Sequence, residues 1–537
     1  MKYAYVLIAA VLLVATAAVA ATIASKDKSA SVPAKTGYLQ PSEVKTSGTI
    51  RAGLSSIPYD AVAGTLIVHP KGWDDTADEY KDKDKAAADA NPTAEAAMFY
   101  VAYFRKGANA ASRPIMFLYN GGPGSSTVWL HMGAFGPKRV VTADDTHTPA
   151  APYKVVDNAY SLLDVADLVF IDAPGTGFSR IAGKDKEKAF YGVDPDAHAF
   201  ASFVKQFLAK YGRWNSPKYL FGESYGTPRS AVMVNELETG DDVDFNGVIL
   251  LSQILNFDLD VDGAEANPGV DLPYELGLPT FAATAWYHHK LPGKQPGDLV
   301  AFVQQVERFA MTDYARALSV GTSLSPKERA AIAEKLHQYT GLPVAYILKA
   351  DLRINGGEFE KNLQDSANMT TGRLDTRFSG PTMDPLSKQA DYDPQSAAIS
   401  SAYVSAFNHY VRSELKYGEG ETYNPEIELF KFWDFKHQQP GAGFAFPGAT
   451  NVMPDLASAM KYNPGLKVMV NGGYFDLATP YYEGWYEDHH LPIPPSLQGN
   501  IEFHYYRSGH MVYAHEESAK ELHDNVAAFV RATDNVK

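Results

Sequence analysis

The sequence predicts a doubly wound, mostly parallel α/β fold interrupted by a helical insertion, and three observations predict it. Short apolar runs, dense enough to be buried on both faces, recur at 114–119, 168–171, 218–221, 248–251 and 466–470. Helical periodicity falls between several of them, which is the grammar of parallel strands joined by crossover helices. Most of these runs end in a turn rich in glycine, the kind of loop that sits at the carboxyl edge of such a sheet.

Composition bounds the rest. A chain of 537 residues with 45% hydrophobic and 12% aromatic content fills a large core and is not disordered. A formal charge of -15 argues against nucleic acid as a partner, because phosphate binding needs clustered Lys and Arg. Met1-Lys2-Tyr3 followed by an uncharged run to Ala24, with Ala18-Val19-Ala20 as a small-residue cleavage site, predicts a signal peptide over 1–20, with an uncleaved membrane anchor as the alternative. The absence of cysteine excludes a disulfide framework and fits an exported bacterial protein, periplasmic or secreted.

Taken in order, 21–47 is polar and reads as a linker, and 48–257 as the first part of the core. The stretch 49–68 alternates as antiparallel strands do, 74–84 is a charged, solvated loop, and 97–104 joins 114–119 as a central strand. Asp194 as N-cap and Pro195 at the first helical position open a helix that buries Phe200, Phe203, Val204, Phe207, Leu208 and Tyr211. It leads to the strand 218–221, a tight turn carrying Ser224, and a further helix. From 258 to 460 the alternation gives way to helices at 299–311 and 325–340, the second opened by the capping box Ser325-Pro326-Lys327-Glu328, and this segment reads as a cap over the site. The core resumes over 461–537, with strands at 466–470 and 501–506 and a last helix burying Leu522, Val526, Phe529 and Val530.

The chemistry sits at the strand ends. Gly222-Glu223-Ser224-Tyr225-Gly226 has the form of a nucleophile elbow, a strained strand-to-helix turn that holds a serine hydroxyl clear of the backbone. Asn120-Gly121-Gly122-Pro123-Gly124-Ser125-Ser126 lacks the Lys-Ser/Thr of a phosphate cradle; after a central strand its amides suit an oxyanion instead. A serine needs a base, and the base a carboxylate to fix its tautomer. His510 and Asp476 each follow a buried strand, and the order Ser, Asp, His is that of α/β-hydrolases. The pairs His288-His289 and His489-His490 diverge in any regular element and read as solvent-facing, so neither metal nor cofactor is expected. Tyr481, Tyr482, Trp485 and Tyr486 fit a substrate pocket and a packed core equally.

Together, the glycine-rich loop at 120–126 with Gly136-Pro137, the run Asp172-Ala173-Pro174-Gly175-Thr176-Gly177-Phe178-Ser179, the elbow, and Ser508-Gly509-His510-Met511-Val512 resemble the successive signatures of the serine carboxypeptidase family. The resemblance implies Ser224 as nucleophile, His510 as base and then acid, Asp476 as its orienting carboxylate, and the amides of Gly122 and Tyr225 as the oxyanion hole. It further implies that Asn120, Gly121 and Glu223 hold the free C-terminus of a peptide substrate, Glu223 being protonated and its pKa raised by the like charge. Three positions depart from the pattern: Leu118 where the family has Trp, Ser125 where it has Cys, and Ala134 where it has a second Glu. Loss of that carboxyl removes a donor and should lessen the shift on Glu223. An esterase, acyltransferase or aminopeptidase-like hydrolase, or a non-catalytic binding protein on the same fold, are the alternatives.

Overall fold

The computed structural model describes residues 37–52, 55–73, 91–445 and 448–536. The signal-peptide reading, the expected linker as far as residue 36 and the charged loop at 74–84 lie outside them. Among the described residues no helix is long and apolar enough to cross a membrane.

Nine strands form the spine: β1 (Glu43–Ala52), β2 (Ser55–Val68), β3 (Glu95–Arg105), β4 (Ile115–Tyr119), β5 (Asp167–Ile171), β6 (Lys218–Glu223), β7 (Gly247–Leu251), β8 (Lys467–Gly473) and β9 (Ile501–Tyr506). Their order in the sheet is β1-β2-β3-β5-β4-β6-β7-β8-β9, with a short strand, Arg180–Ala182, beside β3. The first three are antiparallel to their neighbours and the six from β5 to β9 are parallel. This mixed, doubly wound sheet is an α/β-hydrolase fold. The fully buried β4, β5 and β7 are the continuous apolar runs that two covered faces demand.

β1 begins at Glu43, inside the segment expected as a linker. Its ten residues pair in continuous register with β2, so Lys45 and Ser47 are strand residues that face solvent on an edge.

On one face of the sheet pack α1 (Val193–Tyr211) and α2 (Gly226–Gly240), joined by α7 (Met453–Tyr462). α1 starts at Val193 with Gly192 as its cap, so Asp194 is not the N-cap that its sequence position predicts. Its carboxylate is instead engaged by His437 at 2.5 Å, which also meets Asp455 of α7 at 2.7 Å. Packing against the other face are α6 (Pro394–Ser413) and α9 (Glu516–Thr533). Leu522, Val526, Phe529 and Val530 of α9 are all buried, as their spacing predicts.

Between β7 and α6, helices α3 (Leu272–Tyr287), α4 (Leu299–Phe309) and α5 (Pro326–Thr340) build a separate apolar cluster. The capping box of α5 is formed, Ser325 Oγ accepting from the Glu328 amide. Tyr481 and Tyr482 of α8 (Tyr481–His489) belong to this cluster, with Trp485 and Tyr486 against it, so packing claims the aromatic quartet.

Candidate active site

The carboxyl ends of β4 and β6 and the turn after β9 converge on a cavity of about 210 Å³, lined among others by Asn120, Gly121, Gly122, Glu223, Ser224 and His510. Ser224 holds φ at +60°, a left-handed conformation that a non-glycine residue adopts only where its surroundings impose it. They do so here: the Ser224 amide donates to Leu251 O at 2.9 Å, and its carbonyl accepts from Thr227 N at 2.8 Å. The turn is so tight that a Cβ on Gly222 would lie 2.2 Å from Gly226 O. The hydroxyl of Ser224 makes no hydrogen bond among the described residues.

The glycine-rich loop lies against this elbow. A Cβ on Gly121 would stand 2.3 Å from the Tyr225 amide nitrogen, so only glycine admits the approach. Neither the Gly122 nor the Tyr225 amide donates to a backbone group among the described residues. Arg229 of α2, fully buried, fixes the two pieces together: it pairs with Asp196 of α1 at 2.6 Å and donates to Asn120 O at 2.7 Å.

His510 and Asp476 are in contact, Nδ1 donating to Oδ2 at 2.9 Å. Asp476 also accepts from the amides of Ala478 and Thr479, each at 3.0 Å, and from the Thr479 hydroxyl at 2.8 Å. With Nδ1 occupied as a donor, Nε2 is the ring nitrogen left to accept a proton. Burial disfavours the charged imidazole, but Asp476, helped by Glu223, outweighs it and raises the His510 pKa above its ordinary value.

The loop 373–376, far away in sequence, holds both of these turns. Leu374 O accepts from the His510 amide at 2.6 Å, Arg373 O from the Leu477 amide at 3.1 Å, and the Thr376 amide donates to Phe475 O at 2.9 Å. No sequence signal marked it.

Glu223 is buried on the floor of the cavity. Burial pushes its carboxyl up to about 7, against the opposing pulls of His510, Tyr513 and Asn120. A substrate's like charge is therefore not needed for the rise, and the missing carboxyl at Ala134 has not abolished it. Tyr513 takes a place beside Glu223 instead, its hydroxyl 2.8 Å from Oε2 and 3.1 Å from Oε1. Tyr513 and Thr479 both escaped the sequence reading, although each stands three residues beyond a predicted site residue. Of the histidine pairs, His289, His489 and His490 are exposed as expected. His288 is half-buried, its Nε2 2.6 Å from Thr376 O.

A serine on a strained elbow, beside a buried His-Asp pair at the carboxyl edge of this sheet, is the arrangement of a serine hydrolase. The sequence comparison points the same way: residues 88–265 match the family model described as serine carboxypeptidase. A pheromone-processing carboxypeptidase of Cryptococcus gattii is 29% identical over 199 residues, 35% of this chain and 26% of that protein. The match thus spans about a quarter of the relative's length. Among solved structures, a proline iminopeptidase of Mycobacterium smegmatis aligns over 91% of this chain and 99% of its own at 12% identity and a TM-score of 0.33. An epoxide hydrolase of Aspergillus niger aligns over 82% and 76% at 15% identity and a TM-score of 0.31.

Proposed function

We propose that this serine hydrolase is a carboxypeptidase, releasing C-terminal residues from peptides through an acyl-enzyme. The observation that carries the reading is Glu223: a buried carboxyl with a pKa of about 7, next to Ser224 and facing the same cavity. Below that pH it is a neutral donor, which is what a buried site needs in order to accept a carboxylate without stacking like charges. Asn120, which shares a hydrogen bond with Glu223, and the Gly121 backbone complete the pocket for the free C-terminus.

In this mechanism Ser224 attacks the scissile carbonyl while His510 Nε2 takes its proton. Asp476 stabilises the resulting imidazolium, and the amides of Gly122 and Tyr225 receive the oxyanion, each such donor contributing a factor of about 10² to 10³. His510 returns the proton to the leaving amine, and water then repeats the sequence on the acyl-enzyme. The segment 258–460 acts as a cap that keeps bulk water from the ester, with its 373–376 loop supporting the base.

The test compares a blocked dipeptide, its C-terminal amide and a simple ester. The carboxypeptidase cleaves the free acid best, and Ser224→Ala removes all three activities and labelling by a fluorophosphonate. Cleavage of ester and amide with the acid left intact would transfer the protein to the esterases or acyltransferases; no labelling above the Ser224→Ala control would make it a non-catalytic member of the fold.

A further inference from the structure

The catalytic cavity has several polar lining residues that the mechanism does not use, among them Ser125, Ser396, Ser400, Glu426 and Gln395. Gln395, in the first turn of α6, is fully buried, and neither its Oε1 nor its Nε2 has a hydrogen-bond partner among the described residues. Of the side chains that line the cavity it alone combines burial with orphaned polar atoms. A primary amide withdrawn from water with both donor and acceptor unspent destabilises the free protein, so a ligand that satisfies it gains what the fold forgoes.

Its position is fixed from two sides. Asp393 caps α6, one carboxylate oxygen accepting from the Ser396 amide at 2.7 Å and the other from the Arg373 amide at 2.7 Å. The first turn of α6 is thereby tied to the loop that supports His510. Gln395, Ile399 and Tyr403 follow at i, i+4 and i+8 and share one face of the helix. The inner end of this stripe lies at the expected carboxylate pocket: the Tyr403 ring sits 5.5 Å from that of Trp129, and a Cβ on Gly133 would touch both Tyr403 and Tyr513. Gln395 therefore stands two helical turns, roughly 12 Å along the axis, from the end that would hold the substrate's C-terminus. An extended peptide covers about 3.5 Å per residue, so the chain beyond the scissile bond comes within reach of a glutamine side chain there.

We propose that Gln395 is a specificity-determining residue whose side-chain amide pairs with an amide group of the peptide substrate, donating to its carbonyl and accepting from its N–H. The inference rests on the carboxypeptidase reading. The amide has two sources, the backbone unit on the N-terminal side of the scissile bond or an Asn or Gln side chain on the leaving residue. The same chemistry serves both.

The experiment compares wild type with Gln395→Met, nearly equal in volume and free of hydrogen-bonding groups, and with Gln395→Leu as a second apolar variant should the first fold poorly. One substrate pair differs only by an ester in place of the backbone amide preceding the scissile bond; a second pair ends in Gln or in norleucine. Expected is a loss of about 10-fold in kcat/KM for the variant on the peptide acid, with that preference abolished in one of the two pairs. Fluorophosphonate labelling should be unchanged, and the melting temperature equal to or above wild type, because an orphaned buried amide has been removed. A structural glutamine would instead lower the melting temperature and leave both preferences intact, which overturns the proposal. So does a wild type without preference in either pair. Wild type that cleaves no peptide acid overturns the carboxypeptidase reading and this inference with it, whereas cleavage at equal rates by wild type and variant overturns this inference alone.

Discussion

In the proposed mechanism two titrations meet in the cavity, and their directions differ in what they do to turnover. His510 must be neutral to accept a proton, so its raised pKa makes kcat/KM fall on the acid side for every substrate. Glu223 must be protonated to receive a carboxylate, so above about pH 7 the KM of a peptide acid should climb by roughly tenfold per pH unit while that of a neutral ester stays level. Glu223→Gln keeps a donor and cannot ionise: its KM for peptide acids should be flat where that of wild type rises. Tyr513 lowers the Glu223 pKa through its hydrogen bonds, so Tyr513→Phe should move the rise in KM to higher pH. Steady-state profiles on a matched acid and ester check both variants. Parallel profiles for the two substrates would remove Glu223 from carboxylate binding. Ser224, Asp476 and His510 stand out in the sequence because each sits at the end of an apolar run in a glycine-marked turn. Tyr513 and Gln395 do not, since a tyrosine and a glutamine carry no motif and owe their meaning to what the folded chain sets beside them.

The strands other than β1 and the α5 capping box are legible because their signals are local: apolar runs, a Ser-Pro-x-Glu, periodic faces. The clasp that the loop 373–376 makes on the Asp476 and His510 turns is not, because it joins segments about 100 residues or more apart through backbone groups that every residue type possesses. For the same reason Asp194 was misread as a cap: nothing local announces that His437 will claim its carboxylate. The clasp has a testable weak point in Gly509. A Cβ there would lie 2.4 Å from Leu374 O and 2.5 Å from the Asp375 Cα, both backbone and unable to swing away. Gly509→Ala should therefore displace the His510 turn from the loop, with kcat lowered by about 10² and the global fold retained, since misplacement by about 1 Å is enough for such a loss. Single-turnover rates alongside circular dichroism measure the two parts. An alanine variant with full activity would mean that the clasp does not set the base.

The molecule as a whole carries an unusual load of buried acid. Burial raises the pKa of Asp172, Glu238 and Glu487 to about 7 and lifts Glu360, Glu483 and Asp488 well above the carboxylate range. A carboxyl raised on folding binds more protons in the native than in the unfolded chain between its two pKa values, so stability falls as pH climbs through that interval, by up to about 1.4 kcal/mol per pH unit for each such group. His437, held at about 9 between Asp194 and Asp455, acts in the same sense: its contribution is complete below the ordinary histidine pKa and is lost as pH rises through 9. Burial lowers His131 to about 3 and also lowers His288, and these run the other way, costing stability only below about pH 6.5. Two protons against at least six leave the sign unchanged. Thermal unfolding at fixed ionic strength should thus give a higher melting temperature at pH 5 than at pH 7, and a lower one again at pH 9. The buried acids of α8 contribute to the slope through burial, which for Glu487 outweighs the opposing hydrogen bonds it accepts from the Gln253 side chain and from the amides of Leu255 and Asn256 at the start of the segment that leaves β7. Glu487→Gln keeps most of that volume and removes the titration, so its melting temperature should fall less steeply between pH 5 and 8 than that of wild type. A variant as steep as wild type would assign the slope to other groups.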